Sequence, residues 1–470
     1  MSRERWLIGL VSITVLLGML LFASVLVTER RREVAVGELK AKGKTVLDQR
    51  VGAQGASAGP ASVADASGGR KTRQEKTGAS STEDSVAACA RMIERKKALW
   101  DNPSWQEAIK IFSEKKPREW TEADRQKVAE FVAANREMIL ELRRLAKSGG
   151  LAYELDYSNG FAMELPHLAQ LRDFARLLAA DAALRAADGE YGEAVEDIIA
   201  GMKLASGLDK EPLVISQLVR MAMDGIIYSA VEGSVQGARL TPELSRKLIE
   251  YASSAGAREA YADSFIFEGF FGLDAFDDVR NGDFTLADMA DISLTSSDRL
   301  DSVLLRAYGS VFARPWLNMD EETYADSMQR LNDAARLTFY ESKPLFDQIN
   351  TEIGDLPRTR VLSRMLSPAL SRTAESQAAH EARMDLMQLG LAVEQYRVEN
   401  GEYPRTLDQV APLSGGAIPI DPFTGQPYVY QLSGGSFLIY SATASLVDAD
   451  RARRFAGADE QGNIVWRGSH

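Results

Sequence analysis

The longest unbroken apolar run lies near the start of the chain. Residues 6–27 (WLIGLVSITVLLGMLLFASVLV) contain no charge over 22 positions. A helix of that length reaches roughly 33 Å, about the thickness of a bilayer's hydrocarbon core. The run is longer than the apolar region of a cleaved signal peptide, and no small-x-small cleavage site follows it. The pattern therefore predicts a membrane anchor over 1–28, in contact with lipid through residues 6–27. Beyond residue 86 the apolar positions recur at three- and four-residue spacing as far as about 371, the period of amphipathic helices. Thr121-Glu-Ala-Asp124 is a helix-start signal ahead of Val128, Phe131, Val132, Met138 and Leu142, and the helix it opens is expected to reach Gly149-Gly150. Leu171, Phe174, Leu178 and Ala182 share one face of the next segment, Asp188-Gly189 breaks it, and Thr241-Pro242 starts another. Strand-like alternation is scarce here. The fold class expected is mainly α, with an all-helical domain over 86–370.

Composition adds two segments between anchor and body. Residues 29–50 hold Arg30, Arg31, Arg32, Lys40, Lys42 and Lys44 and read as a basic, helical stalk. Residues 51–85 are mostly Gly, Ala, Ser, Thr and charges, with Val51 and Val63 the only large apolar side chains. Such a stretch buries too little surface to offset its chain entropy and reads as a disordered linker. The segment Gly189-Glu-Tyr-Gly-Glu-Ala-Val195 resembles the first helix of a tetratricopeptide repeat, but no second copy follows about 34 residues later, so an ordinary helical hairpin is expected.

The last hundred residues, 371–470, change character. A helix with Leu386, Leu389, Val393 and Tyr396 on one face ends at Asn400-Gly401, a left-handed C-cap signal. Then come Glu402-Tyr403-Pro404 and Asp421-Pro422-Phe423-Thr424-Gly425-Gln426-Pro427-Tyr428-Val429-Tyr430. Gly434-Gly435 separates that strand from Phe437–Ser441, a hairpin signal, and Asn463–Trp466 forms a last short strand. This order of helix, Asn-Gly-x-Tyr-Pro loop, Asp-Pro-x-x-Gly-x-Pro-Tyr turn and hairpin resembles the globular domain of the major pseudopilin of type II secretion systems, over about 90 residues. The resemblance implies a small α+β domain, one long helix on an antiparallel sheet, and relatives that work on the outer side of the bacterial inner membrane. In that family a Glu sits five residues into an apolar helix that runs straight into the globular part; here the apolar helix lies some 350 residues upstream, and residues 6–27 contain no Glu. The family's C-terminal loop holds calcium after Tyr-Ser-x-Gly-x-Asp. This chain reads Tyr440-Ser441-Ala442-Thr443-Ala444-Ser445, without that Gly or Asp, leaving Asp448, Asp450 and Asp459 as the carboxylates that would hold the ion.

Charge and candidate chemistry narrow the function. The net charge is −12, with 55 Lys and Arg against 67 Asp and Glu, which argues against a nucleic-acid-binding body. One cysteine, Cys89, rules out an intrachain disulfide or a cysteine-clustered metal site, and it reads as a small packed residue. Three histidines form no HExxH pattern, and neither a Gly-x-Ser-x-Gly elbow nor a phosphate-binding glycine loop is found. Asp274, Asp277, Asp278, Asp283, Asp288 and Asp291 gather next to the aromatic run Phe265–Phe271. If Asp274, Asp277 and Asp283 converge in a deep pocket, an envelope hydrolase is the alternative reading; if they scatter, they are a solvated helix and loop beside a core stripe. The expectation is a single-pass envelope scaffold that binds other proteins, rather than an enzyme, with no cofactor beyond the calcium considered above.

Orientation is contested within the sequence. Arg3 and Arg5 precede the apolar run, whereas six Lys or Arg follow within about twenty residues, which by the positive-inside rule favours a cytoplasmic body. The pseudopilin-like tail favours the periplasm. Long domains translocate largely regardless of charge, so the expectation rests on the tail: bacterial inner membrane, bulk of the chain periplasmic.

Overall fold

The computed structural model describes residues 3–50, 91–92, 103–115, 119–148, 153, 155, 157, 163–234, 240–252, 257–281, 313–367, 373–442 and 458–468; for 3–18, 20, 103–104, 113–114 and 234 the backbone alone is described. The linker expected over 51–85 and Cys89 lie outside the described residues. Thirteen α-helices and three strands are found among the described residues: α1 (Arg3–Arg50), α2 (Pro103–Glu114), α3 (Glu122–Ala134), α4 (Arg136–Lys147), α5 (Pro166–Ala187), α6 (Tyr191–Ser206), α7 (Val214–Ser234), α8 (Pro242–Ala252), α9 (Ala257–Asn281), α10 (Arg314–Ala335), α11 (Phe339–Gly354), α12 (Val361–Leu366), α13 (Thr373–Asn400), then β1 (Val429–Ser433), β2 (Ser436–Ser441) and β3 (Ile464–Gly468). The protein is mainly helical, with a small antiparallel sheet at its C-terminal end.

Local chemistry explains most boundaries. Thr121 and Asp124 form a capping box: each side chain takes the other's backbone N–H, which satisfies donors the first turn of α3 leaves open. Prolines open α5 and α8, where the missing N–H has no consequence. Gly189 and Gly401 adopt φ of 83° and 81° and stop α5 and α13 where the sequence placed the breaks. One expectation is corrected. The helix opened at Thr121 breaks at Asn135, whose side-chain amide donates to the Phe131 carbonyl at 2.7 Å and competes with the helical ladder.

Two apolar cores are joined by α5 and α6. The smaller packs α2, α3 and α4 onto α5 around Phe131, Ile139, Leu142 and Phe174, with Trp105 edge-on to Phe131 at 4.8 Å. The larger is built on α9, whose Phe265, Phe267, Phe270, Phe271 and Phe276 are all buried. Helices α1 and α10 flank α9, while α7, α8 and the sheet enclose α13. Within α7, the stretch Val214–Gly233 is long and apolar enough to cross a membrane, yet most of it is buried in the body, as in a core helix.

The C-terminal segment has the expected helix and hairpin. Gly434 and Gly435 both take positive φ and turn β1 into β2, with Ser433 opposite Ser436; β3 adds to β2 with Trp466 opposite Ile439. This unit shares one continuous core with the helical body. Trp466 lies over Gly390 of α13, where a Cβ would run into the indole, and is edge-on to Tyr228 of α7 at 5.7 Å. The Tyr228 hydroxyl donates to the Val465 carbonyl at 2.8 Å. In the Asp-Pro-x-x-Gly turn, Asp421 accepts hydrogen bonds from the Phe423 N–H, the Thr424 hydroxyl and the Ser441 hydroxyl, so the motif is a tied loop. Gly425 has φ 66°, and a Cβ there would stand 2.7 Å from the Tyr340 ring of α11. Gly425→Val is therefore expected to lower stability by roughly 1–3 kcal/mol through left-handed backbone strain, with the ring clash adding to it. An unchanged urea midpoint would reject this role for the turn.

Candidate functional site

The seam where α1 joins the body holds the densest convergence of chemistry on sequence-remote elements. From Thr28 onward, α1 places Val36, Leu39, Val46 and Leu47 at helical spacing, and all four are buried against α9 and α10. Gly43 lets Phe270 approach so closely that a Cβ would meet its ring at 2.9 Å. The expected stalk over 29–50 is thus corrected: the segment is helical, but it is embedded in the body. Its charges are matched by acidic partners there, and its narrow apolar stripe has a core to enter.

The polar half of the seam is an ion network. Arg32 Nε donates to Glu321 Oε2 at 2.6 Å, and its Nη1 donates to Glu29 at 2.6 Å. Arg280 of α9 donates to the same Glu321 oxygen and, at 3.2 Å, to Asp277. Asn318 Nδ2 donates to Glu29 at 2.8 Å and reaches the Thr28 hydroxyl at 3.4 Å. Glu321 and Asn318 are fully buried. Burial opposes the charge on Arg32, but the hydrogen bond and charge of Glu321 outweigh it and hold the guanidinium protonated. Lower along α1, Lys40 pairs with Asp277 at 3.5 Å and Arg50 donates to Asp263 at 2.7 Å. A surface groove of about 600 Å³ runs between α1 and α10, with Arg31, Val34 and Lys42 on one wall and Glu322, Asp326 and Arg330 on the other.

N-terminal to Thr28 the same helix leaves the body. Met19, Phe22, Leu26 and Val27 are each more than half exposed, within the second half of the uncharged run. Helix α1 is therefore one continuous rod, embedded in protein beyond Thr28 and exposed at Met19, Phe22, Leu26 and Val27 before it.

The residues singled out from sequence fall as follows. Asp277 pairs with Arg32, Lys40 and Arg280, while Asp274 is half-buried and Asp278 is exposed. Asp283, Asp288 and Asp291 lie outside the described residues. Asp459 closes the turn before β3 by accepting the Asn463 N–H at 2.9 Å; Asp448 and Asp450 lie outside the described residues. Among the described residues no three His, Cys, Asp or Glu side chains come together to hold a metal ion.

Three further buried polar groups escaped the sequence reading. His380 of α13 sits between α7 and α13 with Nδ1 3.5 Å from Asp224, beside Arg220 and Arg383. Burial drives its imidazole well below the usual range, raises Asp224 to about 6 and lowers Arg383 to about 10. All four are under one-tenth exposed, so the cluster braces two helices and offers a ligand no access. His167, stacked on Tyr153 at 4.2 Å, meets Glu211 at 2.8 Å, and the Ser216 hydroxyl donates to the other oxygen of Glu211. The carboxylate stands between hydroxyl and imidazole, which is not the order of nucleophile and base. Arg143 of α4 and Arg185 of α5 bracket Asp181 of α5 and Asp197 of α6, and burial raises Asp197 to about 7. The pairs His380–Asp224, His167–Glu211 and Arg143–Asp197 each join residues more than 40 positions apart, which no local pattern reveals.

No family model, curated protein or solved structure matches this chain, so the seam stands on its own geometry.

Proposed function

We propose that the protein is a single-pass, membrane-anchored scaffold of the bacterial cell envelope, with its body on the periplasmic side and an interaction role beside a secretion or pilus-like assembly. The observation that carries this reading is the continuity of α1: exposed apolar side chains up to Val27, then a buried, ion-paired seam from Thr28. In water those bare side chains would be unfavourable; in lipid they are at home. The pseudopilin-like order of motifs in the tail supports a periplasmic location.

The flanking positive charges no longer weigh decisively against that orientation. Arg31, Arg32, Lys40 and Arg50 each meet an acidic partner in the body, so their presence after the apolar run has a structural reason independent of topology. The test is a pair of reporter fusions at His470 in a bacterial host. Active alkaline phosphatase with silent β-galactosidase is expected, and the protein should pellet with carbonate-washed membranes. The reverse reporter pattern would place the body in the cytoplasm and remove the envelope role. Release by carbonate would remove the anchor.

A further inference from the structure

We propose that the body makes a second, direct contact with the bilayer at the end where α1 joins it, seating Trp316 among the lipid headgroups with Arg30 and Arg31 against anionic ones. This rests on α1 being the membrane anchor, and it names the lipid surface as a partner of the folded body itself.

The placement follows from the seam. Thr28 and Glu29 meet Asn318, and Arg32 meets Glu321, so the partners are offset by 289 or 290 residues in every case. A constant offset means that α1 and α10 run in the same direction, side by side. Stepping back two residues along both puts Trp316 level with Leu26, at the last positions of the uncharged run. Leu317 next to it is buried, whereas Trp316 is 46% exposed and points away from the core. Among the other tryptophans whose side chains are described, Trp105 and Trp466 are buried and Trp120 is half-buried, so Trp316 is the exposed one of that set.

The chemistry fits a headgroup layer. An indole has an apolar body and one N–H donor, and tryptophan concentrates where acyl chains meet headgroups. One to two turns further from the apolar run, Arg30 is exposed and the Arg31 side chain is 66% exposed, even while its guanidinium pairs with Glu322 at 3.1 Å. Guanidiniums at that height face phosphates, which they bind with paired donors. Leu26 and Val27 of α1 are exposed at the same level, so a bilayer that takes up the helix to that height reaches Trp316 without any rearrangement.

The experiment uses the full chain in vesicles of phosphatidylcholine and phosphatidylglycerol, with and without lipid brominated near the headgroup end of its acyl chains. Emission is compared for the wild type, Trp316→Phe and Trp6→Phe. The emission lost in Trp316→Phe, like that lost in Trp6→Phe, should be quenched by brominated lipid and spared by aqueous acrylamide. In vesicles of phosphatidylcholine alone the Trp316 quenching should weaken, and the double variant Arg30→Gln/Arg31→Gln should weaken it equally in the mixed vesicles. A Trp316 component quenched by acrylamide and indifferent to brominated lipid, with a Trp6 component still quenched by lipid, would overturn this contact and leave the anchor standing. Indifference of both components would overturn the anchor and the contact together. Equal quenching in both lipid compositions would overturn the role of the arginines.

Discussion

Replacing Glu321 by alanine is expected to lower the unfolding free energy by about 3–5 kcal/mol, the usual effect of removing one partner from a buried ion pair. Its carboxylate is fully buried and takes hydrogen bonds from both Arg32 and Arg280. Neither guanidinium can shed its proton, so the variant leaves two positive charges facing each other in a largely closed seam. Both keep some solvent contact, 14% of each side chain, which places the effect toward the lower end of that range. Glu321→Gln retains one acceptor and should be milder. Replacing Glu321, Arg32 and Arg280 together by leucine should recover most of the loss, because the uncompensated charges are then gone. Urea denaturation of the detergent-solubilised chain checks all three. A Glu321→Ala midpoint within error of the wild type would show that the network does not hold α1 in place.

The second large effect concerns pH. Burial raises Asp385 of α13 to about 7, against an ordinary 3.8, although the Tyr428 hydroxyl donates to it at 2.7 Å and pulls the other way. A raised carboxyl pKa means that the folded protein holds a proton the unfolded chain has released. The stabilisation from that proton is fully present below about pH 4 and is lost as pH climbs through about 7. For Asp385 the shift corresponds to roughly 4 kcal/mol. Asp197 at about 7, and Asp224 and Glu268 at about 6, act in the same direction, each through burial. These carboxyls lower the thermal midpoint between pH 4 and pH 8, against the opposite contribution of His380, whose imidazole burial keeps neutral. Asp385→Asn keeps an acceptor for Tyr428 and mimics the protonated group at every pH. The variant should match the wild type at pH 4 and exceed it at pH 8, with the gap opening across that window. Parallel curves would show that Asp385 does not titrate in it.

What could be read from the sequence was whatever is decided within a turn or two of chain. The capping box at Thr121, the breaks at Gly189 and Gly401 and the Gly434-Gly435 hairpin are local choices of backbone and hydrogen bonding, and each stands where the pattern put it. The seam was hidden for the opposite reason. Between 29 and 50 the abundance of Arg and Lys outweighs a stripe only one residue wide, and the carboxylates that make those charges tolerable lie more than 200 residues away. Val36, Leu39, Gly43 and Val46 were the available signal, since their spacing matches a helix face that needs a partner. The partners of the acidic cluster were hidden in the complementary way: nothing near Asp277 in sequence announces Arg32 and Lys40 beside it. Asn135 was a local signal passed over, because asparagine within a helical pattern often closes on its own carbonyls.

Helix α1 passes Thr28 without a joint, and its mechanics follow from that. No proline interrupts its 48 residues, and the network around Glu321 clamps it within a turn of the point where its bare segment begins. A rod held this way transmits tilt and twist as well as position. If lipid sets the angle of the outer segment, the same angle is imposed on α9, α10 and everything packed on them. The chain then leaves α1 at Arg50, about 33 Å along the rod from Thr28, so whatever follows is launched from a fixed height and bearing.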